Sequence, residues 1–328
     1  MRWIFCVIIA VLGLAIPGVA GGAYAGDPAS KYDLSRRVTE AARILANNPR
    51  FKNMPASQRE KLVEFVVGNL IFVLGHESGH AVMREMKIPV VSREEDAADV
   101  FATLMALMCT DSFADRVLAN AALGWFLSDR RDRGNGYKVV YYDEHGIDLQ
   151  RAFNIVCLMV GANMEKFRDM AAAAKLPNKR QLSCADDYLN ASWSWEQVLK
   201  PHQRKPDDPK TALNVVYGPG KGQYDLYAEV ARHVKLLEAI ADNLSDAYVW
   251  PAPISLEMQV CGAAGAYWQI RAKRVLICYE LAEEFADLYR SYGRSMVFTV
   301  DDKTSAAPPR REASALKQKG LRAKRRVR

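Results

Sequence analysis

The chemistry-bearing residues of this chain are concentrated between positions 76 and 99. The stretch begins His76-Glu77-Ser78-Gly79-His80, breaks at Ile88-Pro89-Val90, and resumes as Ser92-Arg93-Glu94-Glu95-Asp96-Ala97-Ala98-Asp99. Residues four apart on an α-helix sit one above the other, so His76 and His80 present two imidazoles to one point. Glu77 lies beside that point. Two neutral imidazoles and a carboxylate, with one position left for water, make the donor set of a catalytic zinc ion, and one Zn2+ per chain is expected. Such an ion acidifies its water and polarises a carbonyl, and a neighbouring Glu can take the water's proton as it attacks. That is hydrolysis of a peptide bond.

The third carboxylate comes from the next segment. Glu95 and Asp99 are again four apart, which suits a Glu ligand followed by an Asp that accepts a hydrogen bond from a ligand imidazole. Ser92 to Glu95 also has the S-x-x-E form of a capping box, in which Glu95 would only close its own helix N-terminus. Successive helical residues point about 100° apart, so Glu94 and Asp96 are expected to point away from the two imidazoles.

These residues resemble a known family. H-E-x-x-H followed by E-x-x-x-D is similar to the gluzincin metallopeptidases. The phrase Arg93-Glu94-Glu95-Asp96-Ala97-Ala98-Asp99 resembles an uncharacterised family of bacterial secreted proteins described as putative metallopeptidases. The resemblance covers most of the chain from about residue 61 to 289. It implies His76, His80 and Glu95 as zinc ligands, Glu77 as general base and Asp99 as the carboxylate behind a ligand imidazole. The spacing His145-x5-Arg151 is similar to a downstream element of some membrane gluzincins, which implies that His145 donates to the developing oxyanion. A loop histidine that merely caps the next helix is the alternative. Gly265-Ala266-Tyr267-Trp268 followed by Val275-Leu276-Ile277 is similar to the Asn-Ala-aromatic edge strand of neprilysin-like peptidases, which pairs with substrate backbone. Here Gly265 replaces the Asn, and the alternation reads first as a plain core hairpin.

The elements that must position these groups are mostly helical. An approach helix is expected over 31–48, and a capping box at Ser57 and Glu60 opens a helix that is apolar nearly all round from Leu62 to Leu74. Gly68, Gly75 and Gly79 each cost about 1 kcal/mol against Ala inside a helix, so close packing is expected there. Further helices are expected over 111–128, from 151 through 157–160, and over 163–174, 185–199, 225–243 and 280–292. A charged loop is expected over 129–136, a polar linker over 201–209, and strands over 211–217, 254–261 and 266–278. His202 and His233 are expected to be ordinary surface residues. The fold class is therefore α+β, mostly helical, with a zincin-like active-site helix and a small sheet.

Composition divides the chain. Residues 1–25 carry one charge, Arg2, an apolar run from Trp3 to Ile16, and Ala23-Tyr24-Ala25 in the form of a signal-peptidase site, with an uncleaved membrane anchor as the alternative. Residues 303–328 hold ten basic residues and one acid, +9. The whole chain is +7, so once this tail and Arg2 are set aside, residues 26–302 are left at −3. The basic character belongs to a tail expected to be disordered, able to touch an anionic membrane or envelope polymer electrostatically. Nothing in the body interleaves aromatic and basic residues as a nucleic-acid surface does, and a peptide or protein substrate is the expected partner.

Without the signal, five cysteines remain. Pairing of near neighbours joins Cys157 to Cys184 and Cys261 to Cys278, and leaves Cys109 free as a small buried hydrophobe. Disulfides fit a secreted or periplasmic protein. The alternative to an enzyme is a catalytically silent envelope protein with a structural metal site that binds a partner or anionic polymer. Glu77 speaks against it, because a structural site has no use for a base and closes its fourth position.

Overall fold

The computed structural model describes residues 31–109, 111–293 and 298. The expected signal segment and the basic tail lie outside them. The chain is α+β and mostly helical, with ten α-helices and a four-stranded mixed sheet among the described residues.

The order is α1 (Leu34–Ala46), α2 (Ala56–Glu85), α3 (Glu94–Met108), α4 (Ser112–Gly134), α5 (Asp148–Ala162), α6 (Met164–Ala173), α7 (Asn178–Leu199), β1 (Asn214–Tyr217), α8 (Asp225–Val234), α9 (Leu236–Ala247), β2 (Ser255–Gln259), β3 (Ala266–Gln269), β4 (Arg274–Cys278) and α10 (Tyr279–Tyr292). The sheet order is β1-β2-β4-β3. β1 runs parallel to β2 and β2 to β4, while β3 turns back antiparallel on β4 with Trp268 opposite Val275. β3 is thus an edge strand as well as half of a hairpin. The expected hairpin is present, but β3 is its outer, partly buried strand, because β2 occupies the inner side of β4.

α2 is the axis of the fold. One core packs α1, α2, the sheet and α8 to α10 around Leu62, Phe65, Leu74, Val275 and Tyr279. A second packs α3 to α7 around Ile155, Met159, Phe167 and Met170, and Phe72 of α2 reaches into it. A helix flanked by two cores must be apolar on most of its surface. By length and composition α2 could also cross a membrane, but 83% of its most apolar window is buried inside this protein. It is a core helix.

Gly75 and Gly79 let α3 come close to α2. A Cβ on Gly75 would lie 3.3 Å from Cβ of Ala102, and one on Gly79 would lie 3.1 Å from Phe101 Cδ1 and 3.2 Å from Ala98 Cα. Side chains at either position would push α3 away. The small surfaces therefore set the separation across which α3 reaches the histidines.

Several local expectations are corrected. α2 is entered from Pro55 with no side-chain cap, so Ser57 and Glu60 form no capping box there. The charged run after Ser128 stays helical to Gly134, held by an Arg133–Asp129 pair one turn apart and by Arg131 bonded to Glu284 of α10. The helix expected over 225–243 is two, because Lys235 adopts a left-handed φ of 60° between α8 and α9. α7 begins seven residues earlier than expected, at Asn178 behind Pro177. Disulfides join Cys157 to Cys184 and Cys261 to Cys278. Cys109 is not free, against expectation: it stands half-buried at the C-cap of α3, just past the last helical residue, and is disulfide-bonded. His202 and His233 are half-buried and stand apart from the site.

Candidate metal centre

α2 delivers His76, Glu77 and His80 in one turn, all of them buried. His76 Nε2 and His80 Nε2 are 3.2 Å apart. Glu95, in the first turn of α3, fills the gap between them, with Oε2 3.1 Å from His76 Nε2 and Oε1 3.4 Å from His80 Nε2. The capping-box alternative for Glu95 is not realised, since α3 is entered from Arg93 with no side-chain cap.

The rings are tied from behind. His76 Nδ1 lies 2.8 Å from Asp99 Oδ1, and His80 Nδ1 lies 3.0 Å from Glu94 Oε1. A neutral imidazole that keeps its proton on Nδ1, where these carboxylates accept it, leaves its Nε2 lone pair for an ion at the common point. Glu94 therefore points at the site, against expectation. Two carboxylates 100° apart on α3 both reach His80 because they approach opposite nitrogens of its ring. Asp99 is gripped in turn by Arg151 of α5, Nε to Oδ2 and Nη2 to Oδ1, both at 2.7 Å. The Arg151 guanidinium stacks on Trp125 at 3.7 Å from the ring centroid. The H-x5-R spacing pointed to Arg151, but nothing local pointed to Asp99 as its partner or to Trp125 beneath it.

Glu77 faces β3, where the Trp268 backbone N–H is near enough to favour its charged form. His145 lies in the loop before α5, half exposed, with Nε2 3.2 Å from Glu95 Oε2 and Nδ1 3.2 Å from Asp143 Oδ1. Atoms of His76, Glu95 and His145 all lie within 4.8 Å of one another. Every sequence-predicted site residue, His76, Glu77, His80, Glu95, Asp99 and His145, is thus brought to one place.

The electrostatics favour positive charge there. Burial pulls the His80 pKa down, but hydrogen bonds to Glu95 and Glu94 outweigh it and push it up to about 9. Burial likewise opposes, and hydrogen bonds to Asp99 and Glu95 overcome, so that His76 is raised. Burial pushes the Glu95 carboxyl up, yet hydrogen bonds from His145, His76 and His80 hold it well below the carboxylate range. Asp99 is held low against burial by His76 and Arg151. Glu77 moves the other way: burial raises its pKa, and the two histidines and the Trp268 N–H only partly offset this. A raised carboxyl suits a proton carrier.

The donor set fits zinc. Ligand bonds of about 2.0–2.1 Å at tetrahedral angles put neighbouring donor atoms about 3.3 Å apart. The two Nε2 atoms are 3.2 Å apart, and each has one Glu95 oxygen near that distance, Oε2 at 3.1 Å from His76 and Oε1 at 3.4 Å from His80. Imidazole nitrogen and carboxylate oxygen are both among the donors that zinc takes.

Comparison with curated proteins and with solved structures finds no match. A family model does match, over residues 38–199 and 219–308, which is most of the chain and includes the whole of this centre. Its description is "Putative metallopeptidase". By that match, and in keeping with two buried histidines on a core helix met by a glutamate from the next helix, the chain belongs to this metallopeptidase family.

Proposed function

We propose that the protein is a zinc-dependent peptidase, acting as an endopeptidase on peptide or protein substrates outside the cytoplasm. His76, His80 and Glu95 hold the ion. The observation that carries this is the convergence of two Nε2 atoms and one carboxylate at 3.1–3.4 Å, each ring turned by a carboxylate on its far nitrogen. Bound there, zinc supplies a Lewis acid for the scissile carbonyl and acidifies the attacking water.

The chain's own residues do the rest. Glu77, kept basic enough by burial, takes the water's proton and returns it to the leaving amine. His145, raised by its hydrogen bond to Glu95, donates to the oxyanion from a loop that opens to solvent. Asp99 and Glu94 hold the imidazoles in orientation, and Arg151 holds Asp99. β3, at the sheet edge against α2, offers a backbone on which an extended substrate can pair. The two disulfides support a secreted or periplasmic location.

The test is metal content followed by proteolysis. Purified protein should carry about one zinc per chain and cleave casein. Full zinc with no cleavage of any peptide library would favour the silent envelope protein instead.

A further inference from the structure

Each imidazole of the centre ends a chain of three groups. On one side Arg151 holds Asp99, which holds His76. On the other, Arg84 Nη2 stands 3.2 Å from Glu94 Oε2, and Glu94 Oε1 stands 3.0 Å from His80 Nδ1. The two arms differ in setting. Arg151 and Asp99 are both buried, whereas the Arg84 and Glu94 side chains are 54% and 32% exposed.

We infer that Glu94 is a positioning residue for the metal centre, orienting His80 as Asp99 orients His76. This rests on the zinc reading above. Only one tautomer of His80 lets Nε2 act as a donor to an ion, and Glu94 selects it by accepting the Nδ1–H. α2 by itself supplies no acceptor for that proton, since the carboxylate that reaches it comes from α3. Glu94 also adds negative charge behind the ring, which makes Nε2 a stronger donor. Arg84, one turn beyond His80 on α2, keeps the carboxylate from turning to solvent.

The test measures zinc affinity by competition with a chromophoric chelator, together with the visible spectrum of the cobalt-substituted protein. Glu94→Ala should weaken zinc by about 10- to 100-fold and alter the cobalt spectrum. Glu94→Gln should recover most of that loss, because the amide oxygen still accepts from Nδ1–H. Asp96→Ala removes a carboxylate from the same helical turn without touching His80, so it should leave affinity and spectrum unchanged. An Asp96→Ala loss equal to that of Glu94→Ala would mean that helix charge alone is at work, and overturns the inference. So would wild-type affinity in Glu94→Ala while Glu95→Gln loses zinc. If Glu95→Gln also binds as wild type, the zinc reading falls and this inference with it.

Discussion

Arg151 reaches across from α5 and grips Asp99 through two parallel hydrogen bonds, each of 2.7 Å. Both side chains are buried, and the guanidinium lies on the face of Trp125. Removing one partner of such a pair leaves an uncompensated buried charge, at a cost of about 3–5 kcal/mol. Arg151→Met should therefore shift urea unfolding by several kcal/mol and weaken zinc, because Asp99 then loses its fixed position behind His76. Arg151→Lys should recover little, since lysine has no planar fork. Unchanged unfolding in Arg151→Met would mean that the pair is idle.

Glu77→Gln should keep zinc and lose hydrolysis. The substitution leaves both imidazoles and Glu95 in place and removes only the group that carries the proton. Turnover should fall by at least about 100-fold, the range of a positioned general base. Casein digestion at the wild-type rate by this variant would show that Glu77 is not the base.

Glu95→Gln should weaken zinc severely, whereas a capping role would have tolerated it, because Gln serves as well in a capping box. Asp99→Asn should cost about 10- to 100-fold in affinity, as changes behind a ligand do. Direct titration of each metal-free variant separates the two effects. Equal affinity for Glu95→Gln and wild type would remove Glu95 from the ligand set.

Stripping the metal should lower thermal stability as well as activity. Zinc at one hundred times its dissociation constant adds about 2.7 kcal/mol to a native state that alone binds it. Calorimetry before and after treatment with a chelator, with zinc restored as the control, measures this. A melting temperature indifferent to both treatments would argue that no ion is held.

The two disulfides should separate stability from turnover. Each closes a loop, of 27 residues for Cys157–Cys184 and 17 for Cys261–Cys278, and each should contribute about 3 kcal/mol. Cys261–Cys278 clamps the loop that leads into β3, and the β3 backbone touches Glu77. Replacing that pair by Ser should raise KM as well as lower stability. Replacing Cys157 and Cys184 should lower stability alone. Similar KM values for the two double variants would disconnect β3 from substrate.

The sequence by itself determined what helical periodicity controls. His76 and His80 share a face because they are four residues apart on one helix, and Glu95 and Asp99 do for the same reason. The apolar run of residues 62–74 already said that this helix is buried, and the near-neighbour cysteines already suggested their pairs. What only the tertiary structure decided depends on distances between elements. Glu94 meets His80 across 14 residues and Arg151 meets Asp99 across 52, and both contacts exist only because α3 lies close against α2 and α5 packs behind it. The edge position of β3 follows from β2 pairing on the inner side of β4, a long-range choice that alternation along one strand does not encode. Lys235 likewise breaks a continuous amphipathic pattern by adopting a left-handed backbone, where the fold turns α9 away from α8. Spacing along one helix is local and fixed by 3.6 residues per turn, whereas the partner of a carboxylate is set by which helices the apolar cores bring together.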